Sequence, residues 1–172
     1  MKKGILIFRI FAAAMSVVMM AMIFSFSADN AQESGQKSAE VTEKIVQTID
    51  PKIVEKPIEE QKMVYESVGS YIRKAAHFLE FAGLGFFLSL MVNTIYHDFL
   101  HRFFIPFGAG ALYAAADEIH QIFVPGRAAE FTDFLIDSLG VLIGILISIA
   151  IFAIIKQISL KKRKIDIDFV TF

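Results

Sequence analysis

The chain has 172 residues, 55% of them hydrophobic, with a mean hydropathy of +0.56 and a formal net charge of −1. That is one domain's length, too apolar for an ordinary soluble fold, and no basic-aromatic stripe marks a nucleic-acid partner. The absence of cysteine excludes disulfides, thiolate metal sites and cysteine nucleophiles, and a glycine-rich phosphate loop, a nucleophile elbow and an HExxH motif are also missing.

Apolar residues fall into separated runs of about 20, the length that crosses roughly 30 Å of hydrocarbon as a helix. The runs are continuous rather than alternating, which favours helices over barrel strands. The expectation is an all-α integral membrane bundle of four transmembrane helices, near residues 5–24, 75–95, 103–123 and 134–155, in a single domain over 1–172.

The first run follows Lys2 and Lys3 and contains Arg9. A basic start, an apolar run and small residues at Ser25 and Ser27 also resemble a cleaved signal peptide. The run exceeds the usual core of about 7–15 residues, so an uncleaved anchor is expected. Lys156, Lys161, Lys162, Arg163 and Lys164 follow the last run. Positive flanks mark the inner side, so both termini are expected in the cytoplasm, the tail at 156–172 included. The connection at 96–102 then lies inside and the turn at 124–130 outside.

The segment 27–74 is expected outside; its seven basic residues are tolerable in a long translocated loop. Val41, Ile45 and Ile49 recur every four residues before Pro51, which predicts a short amphipathic helix acting as an interfacial cap. After Pro57, residues 59–71 can restart a helix that runs into the second span.

Polar residues gather where the three later spans reach the outer boundary. His77 and Glu80 lie one turn apart at the outer end of the second span, just after Lys74. Asp117, Glu118, His120 and Gln121 close the third span. Arg127 sits in the turn, and Asp133 and Asp137 share a face of the fourth span. Burying an Asp in a bilayer costs about 2.5–3.5 kcal/mol at a helix centre and less near the interface, so these groups should face the bundle or a wet cavity. Each has a plainer reading taken alone: an interhelical hydrogen bond for His77 and Glu80, interfacial acids for Asp117 and Glu118, a dipole partner for Asp133, a loop cation for Arg127. Glycines at 83, 85, 108 and 110 and the Gly140-x-x-x-Gly144 pair would let the helices approach closely. His97 and His101 fall at the opposite end and read as surface.

The string Arg-Lys-Ala-Ala-His-Phe-Leu-Glu-Phe at 73–81, Asp-Glu-Ile-His-Gln-Ile-Phe-Val-Pro-Gly-Arg at 117–127 and Asp-Phe-Leu-Ile-Asp-Ser-Leu-Gly at 133–140 together resemble the VanZ-like family of bacterial membrane proteins, with a weaker echo at 25–28. The sequence departs from the family at Phe81, where Tyr is frequent, and at Asp137, where Asn is usual. The resemblance implies a bacterial cell-membrane protein whose namesake is associated with low-level teicoplanin resistance, and a fold akin to phosphatidylserine synthases and related head-group enzymes. It carries over His77, Glu80, Asp117, Glu118, Gln121, Arg127 and Asp133 as site residues.

Two functional readings follow. In the first, a lipid head-group transferase or hydrolase at the outer leaflet uses His77, Glu80, Asp117 and Glu118 catalytically, while Lys74, Gln121, Arg127, Asp133 and Asp137 bind substrate. The oxygen-rich set Glu80, Asp117, Glu118 and Asp133 would suit a divalent cation, Mg²⁺, Ca²⁺ or Mn²⁺. Its partners would be phospholipids or undecaprenyl-linked cell-wall precursors. In the second, the same cluster binds a lipid or a glycopeptide without turnover, or moves ions.

Overall fold

The computed structural model describes residues 3–170, and it is helical nearly throughout. The chain runs α1 (Lys3–Ser27), α2 (Ala31–Ile49), a single 3₁₀ turn (Ile53–Glu55), α3 (Ile58–Asn93), α4 (Phe99–Gln121) and α5 (Phe131–Val170). Each boundary has a local cause. Asn30 caps α2 through a reciprocal capping box with Glu33: the Glu33 N–H donates to Asn30 Oδ1 at 2.9 Å and the Asn30 N–H to Glu33 Oε2 at 3.1 Å. Pro57 precedes α3, whose first turn carries Glu59 and Glu60 where carboxylates suit the helix dipole. Asp98 caps α4 by accepting the His101 N–H at 3.0 Å. Between α4 and α5, Gly126 takes a positive φ of 76°, a conformation open to glycine.

Among the described residues three helices are long and apolar enough to cross a membrane: Lys3–Ser27, Ile58–Asn93 and Phe131–Lys161. The fourth expected span corresponds to α4, which packs in the same bundle but carries Asp117, Glu118 and His120 in its last turns. Ile7, Val17, Leu79 and Leu112 are between 63% and 73% exposed, an outer surface that suits hydrocarbon rather than water.

Contact between α3 and α5 dominates the interior, and glycine permits it. A Cβ on Gly144 would lie 1.9 Å from the Ala82 carbonyl oxygen, and one on Gly140 would lie 2.4 Å from that of Phe78. Gly85 meets the Val141 backbone in the same way. Around this crossing Ile23, Phe81, Leu84, Ala114, Val141 and Ile145 form a core contributed by α1, α3, α4 and α5.

As one continuous helix α3 has 36 residues and measures about 54 Å. Its first half therefore projects beyond the bundle and pairs with α2. The contact face of α2 is not the apolar stripe that the spacing singles out. Val41, Ile45 and Ile49 are exposed, whereas Thr42 and Val46 are buried. Small residues decide this, because Thr42 lies against Gly69 of α3, where the two backbones come close. The apolar stripe is left facing outward.

Candidate functional site

The ends of α1, α4 and α5 meet the middle of α3 beside the loop that joins α4 to α5. A cavity of about 170 Å³ opens there, lined by α3 (Ser70, Arg73, Lys74, His77), α4 (Glu118, Gln121), the loop (Arg127, Glu130) and α5 (Asp133, Asp137). Every element contributes through its terminal turns except α3, which passes the site at mid-length.

The acids occupy distinct environments. Asp117 is 4% exposed, and its Oδ2 accepts from Ser27 Oγ at 2.8 Å and from Gln121 Nε2 at 3.1 Å. Ser27 thereby ties the end of α1 to the site. Glu118 accepts the Glu130 N–H on Oε2 at 2.9 Å, while its Oε1 is buried without a hydrogen bond. Asp137 is 2% exposed and lines the cavity with no hydrogen bond or ion pair among the described residues. Asp133 pairs with Lys74, which also reaches Glu130 at 2.9 Å, so that α3, the loop and α5 are fastened together. The hydrogen bond from Lys74 holds the Glu130 carboxyl below its ordinary pKa.

His77 and Glu80 are 3.9 Å apart at Nδ1 and Oε2, too far for a hydrogen bond, and both atoms are buried and unpartnered. Glu80 turns toward a second hollow, a mostly apolar groove of about 250 Å³ between the end of α1, α2 and α3. His77 and Arg73 line both spaces. Lys37 stands at the groove, paired with Asp29 at 2.6 Å and over the Phe26 ring.

The two arginines differ in engagement. Arg127 donates from Nε to the Asp29 carbonyl at 3.2 Å and from Nη2 to the Phe26 carbonyl at 3.5 Å, which satisfies carbonyls at the end of α1. Arg73 makes no hydrogen bond or ion pair among the described residues. Burial and the nearby Arg73 charge push the Arg127 pKa below its usual value. Two guanidinium groups that repel across a cavity make a place for an anion.

Of the expected catalytic residues, His77, Glu118 and Asp117 come together here, whereas Glu80 lines the groove instead. Of the expected binding residues, Lys74, Gln121, Arg127, Asp133 and Asp137 line the cavity. The carboxylates expected to hold a cation are dispersed among these tasks; the metal-ligating atoms that converge belong to His77, Asp117 and Asp137. Sequence reasoning left out Arg73 as a binding residue, although it sits four positions before His77 and so on the same helical face. His120 points elsewhere and stacks on Phe24 with ring centroids 4.6 Å apart.

At the far end of the bundle Asn93 donates to Ser89 at 3.3 Å and to Ser148 at 3.2 Å, and accepts from Arg102. Arg9 donates to the Thr94 hydroxyl at 2.8 Å. The apolar core lies between this network and the cavity.

Residues 11–154 match the family model described as VanZ/LLP1. The chain belongs to the VanZ/LLP1 family. The matched stretch takes in every residue of the cavity, Ser27 of α1 and the packed portion of the bundle. No curated protein and no solved structure matches the chain.

Proposed function

We propose that this VanZ/LLP1 membrane protein takes the phosphate-bearing head group of a membrane lipid into the polar cavity and catalyses attack on its phosphoester. The observation that carries the reading is the guanidinium of Arg73, which has no hydrogen bond or ion pair among the described residues, in one cavity with Arg127 and with Glu118, whose Oε1 is buried and unpaired. An anion held by Arg73 would lie next to Glu118 Oε1, an unpaired buried oxygen that can accept the proton of an attacking hydroxyl or water. The new P–O bond forms as the ester P–O bond breaks, and water at the open mouth protonates the departing oxygen.

The proposal includes four membrane crossings, α4 being the third, with both termini in the cytoplasm and the cavity at the outer leaflet. Basic residues support this orientation: Lys3, Arg9, Arg102 and Lys161 all fall at one end. Phospholipids and undecaprenyl-linked wall precursors are the substrate classes available on that side. Action on either would alter the cell envelope and, through it, susceptibility to glycopeptides such as teicoplanin. Ion transport is disfavoured by the apolar core that separates the two polar ends.

Reconstitution with defined phospholipids and polyprenyl phosphates, followed by mass spectrometry of the lipids, tests the reading. A new head-group product that disappears in Glu118→Gln, at unchanged protein level, is the expected result. Saturable lipid binding with no product in any mixture would replace catalysis with a binding role.

A further inference from the structure

His77 of α3, Asp117 of α4 and Asp137 of α5 each direct one ligand atom to a common point, with all three atoms within 4.8 Å of one another. The carboxylates are 4% and 2% exposed, and neither forms an ion pair among the described residues: Lys74 reaches Asp133 and Glu130, Arg127 donates to two carbonyls, and Arg73, which also lines the cavity, bonds neither carboxylate. Two buried carboxylates without a direct ion pair are costly. Asp137 is the sharper case, since it is nearly inaccessible, lines the cavity and has no hydrogen bond or ion pair among the described residues. His77 Nδ1 is also buried and unpartnered.

We propose that His77, Asp117 and Asp137 bind a divalent transition-metal ion, of the Zn²⁺ or Mn²⁺ class, with an open coordination position facing the cavity. An imidazole nitrogen with two carboxylates suits these ions better than Mg²⁺ or Ca²⁺, which prefer all-oxygen shells. Three protein ligands from three helices leave room for water or a substrate oxygen, as at catalytic zinc sites. Ser27 and Gln121 both donate to Asp117 Oδ2, so they would orient that ligand and leave Oδ1 for the ion. The site deepens the head-group reading and rests on it for its purpose: the ion would draw a phosphate oxygen toward Arg73 and Glu118. His77 is then a ligand, and proton transfer falls to Glu118.

The test uses full-length protein, stripped with chelator and held in a phosphate-free detergent without added lipid, so that its outcome is separate from any lipid turnover. Calorimetric titration with Zn²⁺ and with Mn²⁺ should give one equivalent per chain. Binding should weaken by at least about tenfold in Asp137→Asn and in Asp117→Asn. It should be unchanged in His101→Ala, which removes the exposed His101–Asp98 pair at the other end. Absence of saturable binding to wild type, survival of binding in both Asp variants, or its loss in His101→Ala overturns the proposal. X-ray absorption at the zinc edge of the loaded wild type should show one imidazole among nitrogen and oxygen ligands. If the Asp variants lose helicity, that spectrum decides, and absence of imidazole scattering overturns the site.

Discussion

Arg73 and Arg127 carry the same group and are set to different tasks by their surroundings. Arg127 spends two donors on the Asp29 and Phe26 carbonyls, whereas Arg73 spends none on any described residue. Arg127→Ala should therefore loosen the end of α1 at a cost of about 1.5–3 kcal/mol, the range for hydrogen bonds from charged donors. Faster hydrogen exchange over residues 26–30 would register it. Arg73→Ala should leave the unfolding midpoint within about 1 °C, a change below 0.5 kcal/mol, while binding of phosphate-bearing lipid falls by about tenfold or more. Equal effects of both substitutions on binding, with no difference in exchange, would contradict this division. At this scale the sequence shows which residues are polar and at what depth they lie, because spans and spacing set both. It does not show how partners are shared. Lys74 and Asp133 read as two separate binding groups until the fold brings them into one ion pair, and Ser27 reads as a faint echo until it reaches Asp117 across 90 positions.

Helix packing divides the glycines into those that are needed and those that are merely tolerated. Gly144 occupies the α3–α5 crossing with no room for a methyl group, while a Cβ on Gly108 would meet nothing within 4 Å. Gly144→Ala should cost about 1–3 kcal/mol, the usual penalty of overpacking, unless the crossing separates altogether. Gly108→Ala should be neutral or stabilise by up to about 1 kcal/mol, since alanine removes glycine's entropic cost in a helix. Thermal unfolding of the two variants in the same detergent checks the contrast; equal shifts would mean that the crossing is looser than described. The Gly140-x-x-x-Gly144 spacing made this interface legible in advance. The same reasoning was less informative for α2, where Val41, Ile45 and Ile49 identify an apolar face correctly but not what covers it. Periodicity separates apolar from polar faces, and in water the apolar one turns to the core. Beside a bilayer it can turn to lipid, and the small residues Ser38 and Thr42 can then take the protein contact.

For the molecule as a whole, the number of crossings decides on which side the cavity opens. α1, α3 and α5 have the length and apolarity to span, and α4 falls short because both its ends are polar, with His101 and Arg102 in its first turn and Asp117, Glu118 and His120 in its last turns. A helix that delivers acids to a pocket loses hydropathy for that reason, so its modest apolar character is compatible with a span that is shielded by its neighbours. If α4 crosses, the α3–α4 connection and the α4–α5 loop lie on opposite sides; if it does not, they lie on the same side. The chain contains no cysteine, so single introduced thiols report without background. Gln47→Cys on α2 and Ala129→Cys beside the cavity should react with a membrane-impermeant maleimide on intact cells. His97→Cys should react only after the membrane is permeabilised. Labelling of positions 97 and 129 from the same side would remove α4 as a span and put the two termini on opposite faces. Labelling of 97 alone on intact cells would instead invert the bundle, moving the head-group site to the cytoplasmic leaflet and excluding lipid substrates confined to the outer one.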